Sequence, residues 1–492
     1  MCYQARTAGR VTESPQVLLS PRPTAFLPTY LQERASTGWQ AGGGLWQARR
    51  PLPPSAQPPT SGCLGGSQQT SPSGRPEETP LDQVFQAVSP AILRVPLIPF
   101  QDSTSGSMLW TVELEGGPQR VNHAAVAVGD RIYSFGGYCT GENYRTIRNM
   151  DVHVLNTVTY RWKAIDIKQE REFVPFQRYG HTAVAFGHLV YVWGGRNDVS
   201  ACNILYCFDT NTHEWSVPKV HGHIPEARDG HSACIINDHM YIFSGYLEYV
   251  ESYTQDVHTL NLRTMTWSYI KATGPAPVYR DFHTATGVDG IMYVWGGREV
   301  ASGWYDSPEH EEYGADLYAL DTVTNRWSII PCSGMIPIGR RSHSAFVYKG
   351  QIYVFGGFNS RKCLHFNDLH RFDPVLHVWE EVKPLGQGPC PRRRQSCCVV
   401  GSKMFLFGGT SPKENYDEIV EEDPNGEEQT DRRLKDHNDL HVLDFEPSLK
   451  TLCLLKVQNL KLDTTWLPRE LHMLLKFMQM PNNITRPLNH TG

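Results

Sequence analysis

The sequence predicts an all-β fold, a six-bladed β-propeller with a disordered N-terminal extension and a short C-terminal helical tail. Three observations predict it. Glycine doublets recur at Gly136-Gly137, Gly194-Gly195, Gly296-Gly297, Gly356-Gly357 and Gly408-Gly409, with a degenerate Ser244-Gly245 among them; their first members stand 58, 50, 52, 60 and 52 residues apart. An Arg-x-x-His phrase opens most of these units, and a tryptophan stands near the end of most. Self-similarity at such a period marks a repeat architecture, and function in a repeat lies in its loops and appendages rather than in the frame.

The elements follow in order. Residues 1–107 are rich in Pro, Ser, Gly, Gln and Thr, as in Pro51 to Ser61 and Gly65 to Pro80, and lack apolar periodicity. Such a segment cannot bury enough surface to offset the cost of ordering it, so disorder is expected even across the short apolar patch Val95 to Phe100. The propeller is expected over 108–445. In each unit the Arg-x-x-His phrase leads into a first strand, as in Arg178-Tyr179-Gly180-His181-Thr182-Ala183-Val184, and a second strand ends at the doublet, as in Val190-Tyr191-Val192-Trp193-Gly194-Gly195. A third strand carries acids at its ends, Asp316 to Asp321 or Asp368 to Asp373, and six residues later Trp327 or Trp379 opens a fourth. Four short strands with turn residues between them make one blade. The glycines belong where the chain leaves the second strand, where a Cβ would be strained or would crowd the next sheet. The tryptophans should fill the wedges between blades, since they bury more area than aliphatic residues.

Counting tryptophans tests closure. Trp162, Trp215, Trp267, Trp327 and Trp379 serve five blades, whereas six residues beyond Asp444 stands Lys450. Upstream of the first phrase, Trp110-Thr111-Val112-Glu113 reads as an orphan fourth strand. It is expected to pair into blade six and close the circle, removing an exposed edge. The chain beyond Phe445 is then spare.

This grammar resembles the kelch repeat over Trp110 to about Phe445. The tail carries two further motifs. Ser448-Leu449-Lys450-Thr451-Leu452-Cys453-Leu454-Leu455-Lys456-Val457 fits a BC box, by which substrate receptors dock a helix on the Elongin B/C adaptor. On a helix Leu449, Cys453 and Val457 form one narrow apolar stripe suited to a partner's groove, with Cys453 a small hydrophobe rather than a nucleophile. Leu467-Pro468-Arg469-Glu470-Leu471-His472-Met473-Leu474-Leu475 resembles a Cullin-2 box, whose contacts would fall on Leu467, Pro468, Leu471 and Leu475. Proline near a helix start suits a turn whose N–H groups lack intrahelical partners. The bland alternative is an outer strand and a packing helix. Helices are expected within 446–480 and a flexible tail over 481–492.

Consecutive antiparallel strands reverse direction, so the Arg-x-x-His starts and the residues after the doublets share one mouth. The starts supply Arg178, Arg228, Arg280, Arg340, Arg341, Arg393 and Arg394, with Tyr179, Asp229 and Asp281 beside them. The doublet loops supply Tyr138, Arg196, Asn197, Tyr246 and Arg298. Blade six departs, with Ser396 in the histidine's place. Guanidinium groups grip a carboxylate bidentately, so a peptide C-terminus is a candidate ligand. The order of propeller, BC box and Cullin-2 box resembles the kelch receptors of Cullin-2 ubiquitin ligases that read C-terminal glycine degrons. That resemblance implies Elongin B/C and Cullin-2 with its RING partner as partners, substrates ending in glycine, and a cytoplasmic and nuclear location. Asp229 and Asp281 would then read a basic residue before the glycine. The acidic stretch within Ser411 to Asp436, with Glu421-Glu422-Asp423 and Glu427-Glu428, is expected to be a solvated insertion or a lid over the mouth. The glycine end His490-Thr491-Gly492 is a candidate occupant of its own mouth, or a frayed terminus.

Other classes are weakly supported. A net charge of −5 gives no overall basic bias for nucleic acid. No apolar run reaches the roughly 18 residues of a membrane helix, and the first residues lack a secretory apolar core. The twelve cysteines include no Cys-x-x-Cys pair and read as reduced thiols. His123, His181, His231, His283 and His343 recur once per blade, which suits a repeat-internal hydrogen bond better than a metal. No nucleophile–base pair is legible, so a non-catalytic subunit without a cofactor is expected. The rival reading is a non-ligase kelch scaffold for chromatin or cytoskeletal proteins, with Pro391-Arg392-Arg393-Arg394 as a short basic run.

Overall fold

Short β-branched and aromatic strands between Gly, Asn and Asp turns bury both faces only by stacking on copies of themselves. In the computed structural model they do so as a six-bladed β-propeller. Residues 108–304, 311–413 and 434–484 are described. The extension 1–107, the acidic stretch 414–433 and the end 485–492 lie outside the described residues.

Blade one pairs Ala124–Val128, Arg131–Phe135, Val152–Asn156 and Arg161–Ile165 in antiparallel order outward from the axis, and blades two to five repeat the pattern. Blade six takes Ser396–Val400, Lys403–Phe407 and Leu440–Asp444 from the end of the repeat and Leu109–Leu114 from before its start. Leu109 faces Asp444 and Leu114 faces Leu440, so the strand at Trp110 closes the ring. The Trp110 ring lies 6.3 Å from Phe355 of blade five. Trp215 meets Phe135 at 5.7 Å and Trp379 meets Trp295 at 5.7 Å in the same way, each indole wedged against the preceding blade.

Both doublet positions have positive φ, 59° and 86° at Gly136 and Gly137. Space is also short, since a Cβ on Gly194 would stand 2.3 Å from the His231 ring. Ser244 bears the same conformation at φ 61°. Its hydroxyl, 2.6 Å from the Thr254 carbonyl and 2.7 Å from that of Arg280, offsets part of the strain.

The arginine of each Arg-x-x-His phrase joins its blade to the one before. Its carbonyl accepts from the second doublet glycine of the preceding blade, Gly137 to Arg178, Gly195 to Arg228, Gly245 to Arg280, Gly297 to Arg340, Gly357 to Arg392 and Gly409 to Arg120, at 2.8 to 3.1 Å. Its guanidinium donates to the first doublet carbonyl of its own blade at Arg178, Arg228, Arg280, Arg340 and Arg392, at 2.8 to 3.2 Å. Blade six therefore runs in a different register from the one expected. Arg392 is its joining arginine, not Arg393 or Arg394, and Gln395 rather than Ser396 takes the histidine's place. Gln395 Nε2 donates to Phe355 O at 3.1 Å where His181 Nε2 meets Phe135 O at 3.1 Å. Three arginines in a row gave the sequence no means of choosing the register.

The residue before each histidine, or before Gln395, completes a second ring. Asn122, Gly180, Gly230, Phe282, Ser342 and Arg394 all have positive φ, from 50° to 66°. Their backbones form a closed circle of six hydrogen bonds, each N–H donating to the preceding blade's carbonyl, Asn122 to Arg394, Gly180 to Asn122, Gly230 to Gly180, Phe282 to Gly230, Ser342 to Phe282 and Arg394 to Ser342, at 2.8 to 3.2 Å.

The third strand of blade six ends away from the doublets, and the tail helices begin there. Helix α1 (Leu449–Asn459) is capped by Ser448, whose hydroxyl accepts from Thr451 N at 3.1 Å. Helix α2 (Arg469–Gln479) lies against the closing strand, with Leu475 and Met478 in one core with Val112, Leu114 and Trp162. Residues 481–484, expected to be flexible, are held: Asn482 N donates to Glu115 O at 2.8 Å and its side chain brackets Tyr160 O and Trp162 N at 3.0 and 2.9 Å. No helix among the described residues is long and apolar enough to cross a membrane.

Arg340 is fully buried and doubly paired with Asp368, one arm at 2.9 Å. Arg340→Ala leaves that carboxylate with His370 alone, at 2.9 Å, and removes the link to Gly356, so a loss of about 3 kcal/mol is expected in chemical denaturation. Arg341→Ala, one residue along, should cost under half as much.

Candidate functional site

The mouth is built from backbone bridges that repeat in every blade. The second residue of each phrase pairs antiparallel with the residue after the doublet, as Val121 with Tyr138, Tyr179 with Arg196, Asp229 with Tyr246, Asp281 with Arg298, Arg341 with Phe358 and Arg393 with Thr410. Twelve side chains therefore surround the axis on rigid ribbons, and their identities break the symmetry. At the phrase position blades three and four carry acids and blades five and six arginines, while Tyr138, Tyr179, Tyr246 and Phe358 add aromatics and Arg196 and Arg298 further cations.

The first position is not part of this surface. Arg178, Arg228, Arg280 and Arg340, expected to bind substrate, are 0% to 1% exposed. Arg228 is held by Asp256 at 3.0 Å, Arg340 by Asp368, and Arg280 faces Glu299 at 3.1 Å. Arg178 stacks 3.8 Å from the Phe176 ring. These guanidiniums bind the frame because their side chains run back between the strands to the doublet carbonyl of their own blade. Tyr179, Asp229, Asp281 and Arg341 do line the mouth, and Arg393 and Arg394 join them through the register of blade six.

Phe282 divides the mouth into two pockets. One, of about 300 Å³, is lined by Tyr138, Tyr144, Tyr179, Asn122 and Arg394. The three tyrosines meet edge to face, Tyr138 and Tyr179 at 5.3 Å between ring centres, and Arg394 donates to the Tyr138 hydroxyl. Arg393 stacks 4.4 Å from the Phe358 ring. Burial together with Arg393 and Arg394 lowers nearby His365 to about 4, a sign of the local positive field. Arg341 is drawn to Glu311 at 3.4 Å, so less of its charge is available.

The second pocket, of about 270 Å³, is lined by Arg196, Asp229, Tyr246, Tyr253, Asp281 and Arg298. Arg298 takes both Asp281 oxygens, one at 3.0 Å, and reaches Glu311 at 3.1 Å, while Arg196 is taken by Glu248 at 2.8 Å. Asp229 is 7% exposed. Burial, reinforced by the charge of Asp281, pushes its carboxyl up to about 7.

Below the mouth the histidines face the preceding blade. Thr182 meets His231, Ser232 meets His283 and Thr284 meets His343 at 2.6 to 2.8 Å. Burial and the neighbouring arginines lower His123, His181 and His343 to about 3, so these rings are neutral structural groups.

The tail divides into two surfaces. Leu449 is 73% exposed and Cys453 is exposed, whereas Val457 leans on the core shared with the propeller. Of the second motif Pro468 is exposed, Leu467 and Leu471 pack on that core, and Leu475 is buried within it.

Sequence reasoning passed over Phe282, Tyr144 and the special place of Arg394. The signal was present in the third position of the phrase. Glycine in two blades marks a left-handed conformation there, so a large side chain in that slot carries a strain of about 1–2 kcal/mol. Phe282 and Arg394 bear it where they shape the mouth.

Residues 180–409 match the model of the KLHDC2/KLHL20/DRC7 Kelch-repeats domain. Kelch domain-containing protein 3 of Bos taurus and that of Homo sapiens are each 49% identical to the chain over 385 residues, covering 77% of the chain and 98% of the relative. Host cell factor 1 of Homo sapiens is 30% identical over 255 residues, 49% of the chain and 12% of that protein.

The buried histidines make stability depend on pH. Their folded values lie below the unfolded value of about 6.5, so the unfolded state binds more protons and stability is lost as pH falls from about 6.5 toward 3. Each ring lowered to about 3 should cost about 2 kcal/mol between pH 7 and pH 5; Asp229, shifted upward, works in the opposite sense. Gln395 already fills the equivalent place, so His343→Gln is expected to fold and to recover about 2 kcal/mol of that loss, measured by denaturation at both pH values.

Proposed function

The chain belongs to the family of kelch-repeat proteins that includes kelch domain-containing protein 3, and on that premise we propose that it is the substrate-recognition subunit of a Cullin-2/Elongin B/C ubiquitin ligase, binding protein C-termini that end in glycine. The observation that carries the reading is the exposed apolar stripe of α1. Leu449, Leu452 and Cys453 face solvent on a helix whose opposite side anchors Leu454 in the core. A free helix face of this kind fits a partner's groove. Pro468 at the start of α2 supplies the Cullin-2 contact in this reading. Leu467, Leu471 and Leu475 act through the packing that sets the helix in place.

The divided mouth supports the substrate half. A terminal carboxylate enters the tyrosine pocket, where Arg394, with Arg393 beside it, provides the charge. The residue before the glycine then passes Phe282 toward Asp229 and Asp281, and a basic side chain suits that acidic pair. The propeller contributes proximity, holding a substrate lysine near ubiquitin carried by the rest of the complex, in cytoplasm and nucleus, and the bound protein is thereby marked for degradation.

Two measurements test the halves separately. In a pull-down with Elongin B/C, wild type is expected to retain the adaptor and Leu449→Ala/Cys453→Asp to lose it; retention by the double variant, or absence of binding by both, counts against the ligase reading. A peptide ending in Arg-Gly is expected to bind at least tenfold more tightly than its C-terminal amide, because amidation removes the charge that Arg394 would hold. Equal affinities would sink carboxylate recognition.

A further inference from the structure

The tail does not cover the propeller completely. Between α1, α2 and blades six and one lies an open cavity of about 330 Å³, which shares no residue with the mouth. Its walls are largely apolar, with Val400 and Phe405 from blade six, Leu454 from α1, and Leu474 and Met478 from α2. The side-chain polar groups along it are of one kind. Lys403 Nζ donates to the Tyr160 hydroxyl at 3.1 Å, which uses one of three ammonium protons and leaves the phenol to give its own proton elsewhere. The hydroxyls of Thr111 and Thr157 are committed to the carbonyls of Val442 and Asp130, at 3.3 and 2.7 Å, and that of Thr451 is paired with Ser448 at 3.0 Å. Asp444 stands opposite Lys403 in the strand ladder, but its carboxylate accepts from Ser402 and from the Glu446 N–H, at 3.3 and 3.1 Å. Lys450 lies exposed at the rim, and among the described residues no carboxylate forms an ion pair with it or with Lys403.

We propose that this cavity is a binding site for a small amphipathic carboxylate, whose apolar body lies between Phe405, Leu454 and Met478 and whose head takes the Tyr160 O–H and the Lys403 ammonium. Charge complementarity selects the head. Two cations and a phenol present protons without a matching acceptor, so an anion with several lone pairs completes them, whereas a cationic head would be repelled. The walls select the body, because alkyl or aryl surface is favourably removed from water there and water finds few polar partners against them. The volume lies at the small end of ligand cavities, which suits a chain of medium length rather than a membrane lipid. Thr451 and Leu454 belong to α1 and Phe405 to blade six, so the occupant joins the helix to the propeller beneath it. Ligand bound to the folded chain alone then raises its melting temperature.

The test is isothermal titration calorimetry of the full chain with three probes: octanoate, octanol, which has the body without the charge, and acetate, which has the head without the body. Octanoate is expected to bind about tenfold more tightly than octanol, and acetate to give no heat of binding. Lys403→Met keeps the length of the side chain and should weaken octanoate about tenfold while leaving octanol unchanged. Tyr160→Phe should weaken octanoate in the same direction, and thermal melting checks that both variants fold. A second readout needs neither variant. In the chain labelled with carbon-13 at its methionine methyls, the Met478 signal, identified by its loss in Met478→Leu, should shift with octanoate and stay in place with acetate. Octanol binding as tightly as octanoate marks an apolar void and overturns the proposal. So does full octanoate affinity in Lys403→Met, an unmoved Met478 signal, or failure of octanoate to bind.

Discussion

A buried arginine that ties its own blade with its side chain and the blade before with its backbone carbonyl organises this molecule. Arg178, Arg228, Arg280, Arg340 and Arg392 each give a guanidinium to their own blade's doublet and a carbonyl to the doublet before. Leaving the guanidinium unpaired in a dry interior would cost several kcal/mol, so the arginine is fixed within its own blade, and the carbonyl so placed holds the blade before in register. The glycines follow from the same requirement. Their carbonyls and N–H groups reach the arginines with positive φ and, everywhere but at Ser244, with no Cβ in the way. The tryptophans complete the seam by filling the wedge that the polar contacts leave outside.

The frame consumes the first residue of each phrase and leaves the second and third for use. The second residue is held by a two-sided backbone bridge that tolerates any side chain, and the third by the closed ring of six hydrogen bonds around the axis. Because the backbone supplies both restraints, side chains there vary from blade to blade without loosening the ring. A symmetric repeat thereby carries an asymmetric mouth. Tyrosines and Arg394 stand on one side of Phe282, Asp229 and Asp281 on the other.

The tail has two constraints of its own. One side of its helix pair completes the core beneath the closing strand, where Leu454, Leu475 and Met478 join Val112 and Leu114. The other side leaves Leu449 and Cys453 in water. Packing against the closing strand couples the tail to closure of the ring, so the exposed face of α1 is set in place together with the meeting of the first and last strands.

By itself the sequence determined the blade number, the closing role of Trp110, the positions of the helices and the membership of Tyr179, Asp229, Asp281 and Arg341 in one mouth. All of these follow from period and spacing, which the antiparallel strand alternation converts directly into position. Only the tertiary structure decided which arginines reach the mouth. Arg340 and Arg341 are neighbours in sequence, yet one runs inward to Gly356 and the other lies at the mouth, and composition cannot distinguish them. The register of Arg392, Arg393 and Arg394 was undecidable for the same reason, since it depends on which carbonyl meets Gly357 of the blade before. The state of Asp229 was likewise beyond the sequence, because it is set by which neighbouring cations have already been claimed by Asp281, Glu248 and Glu311.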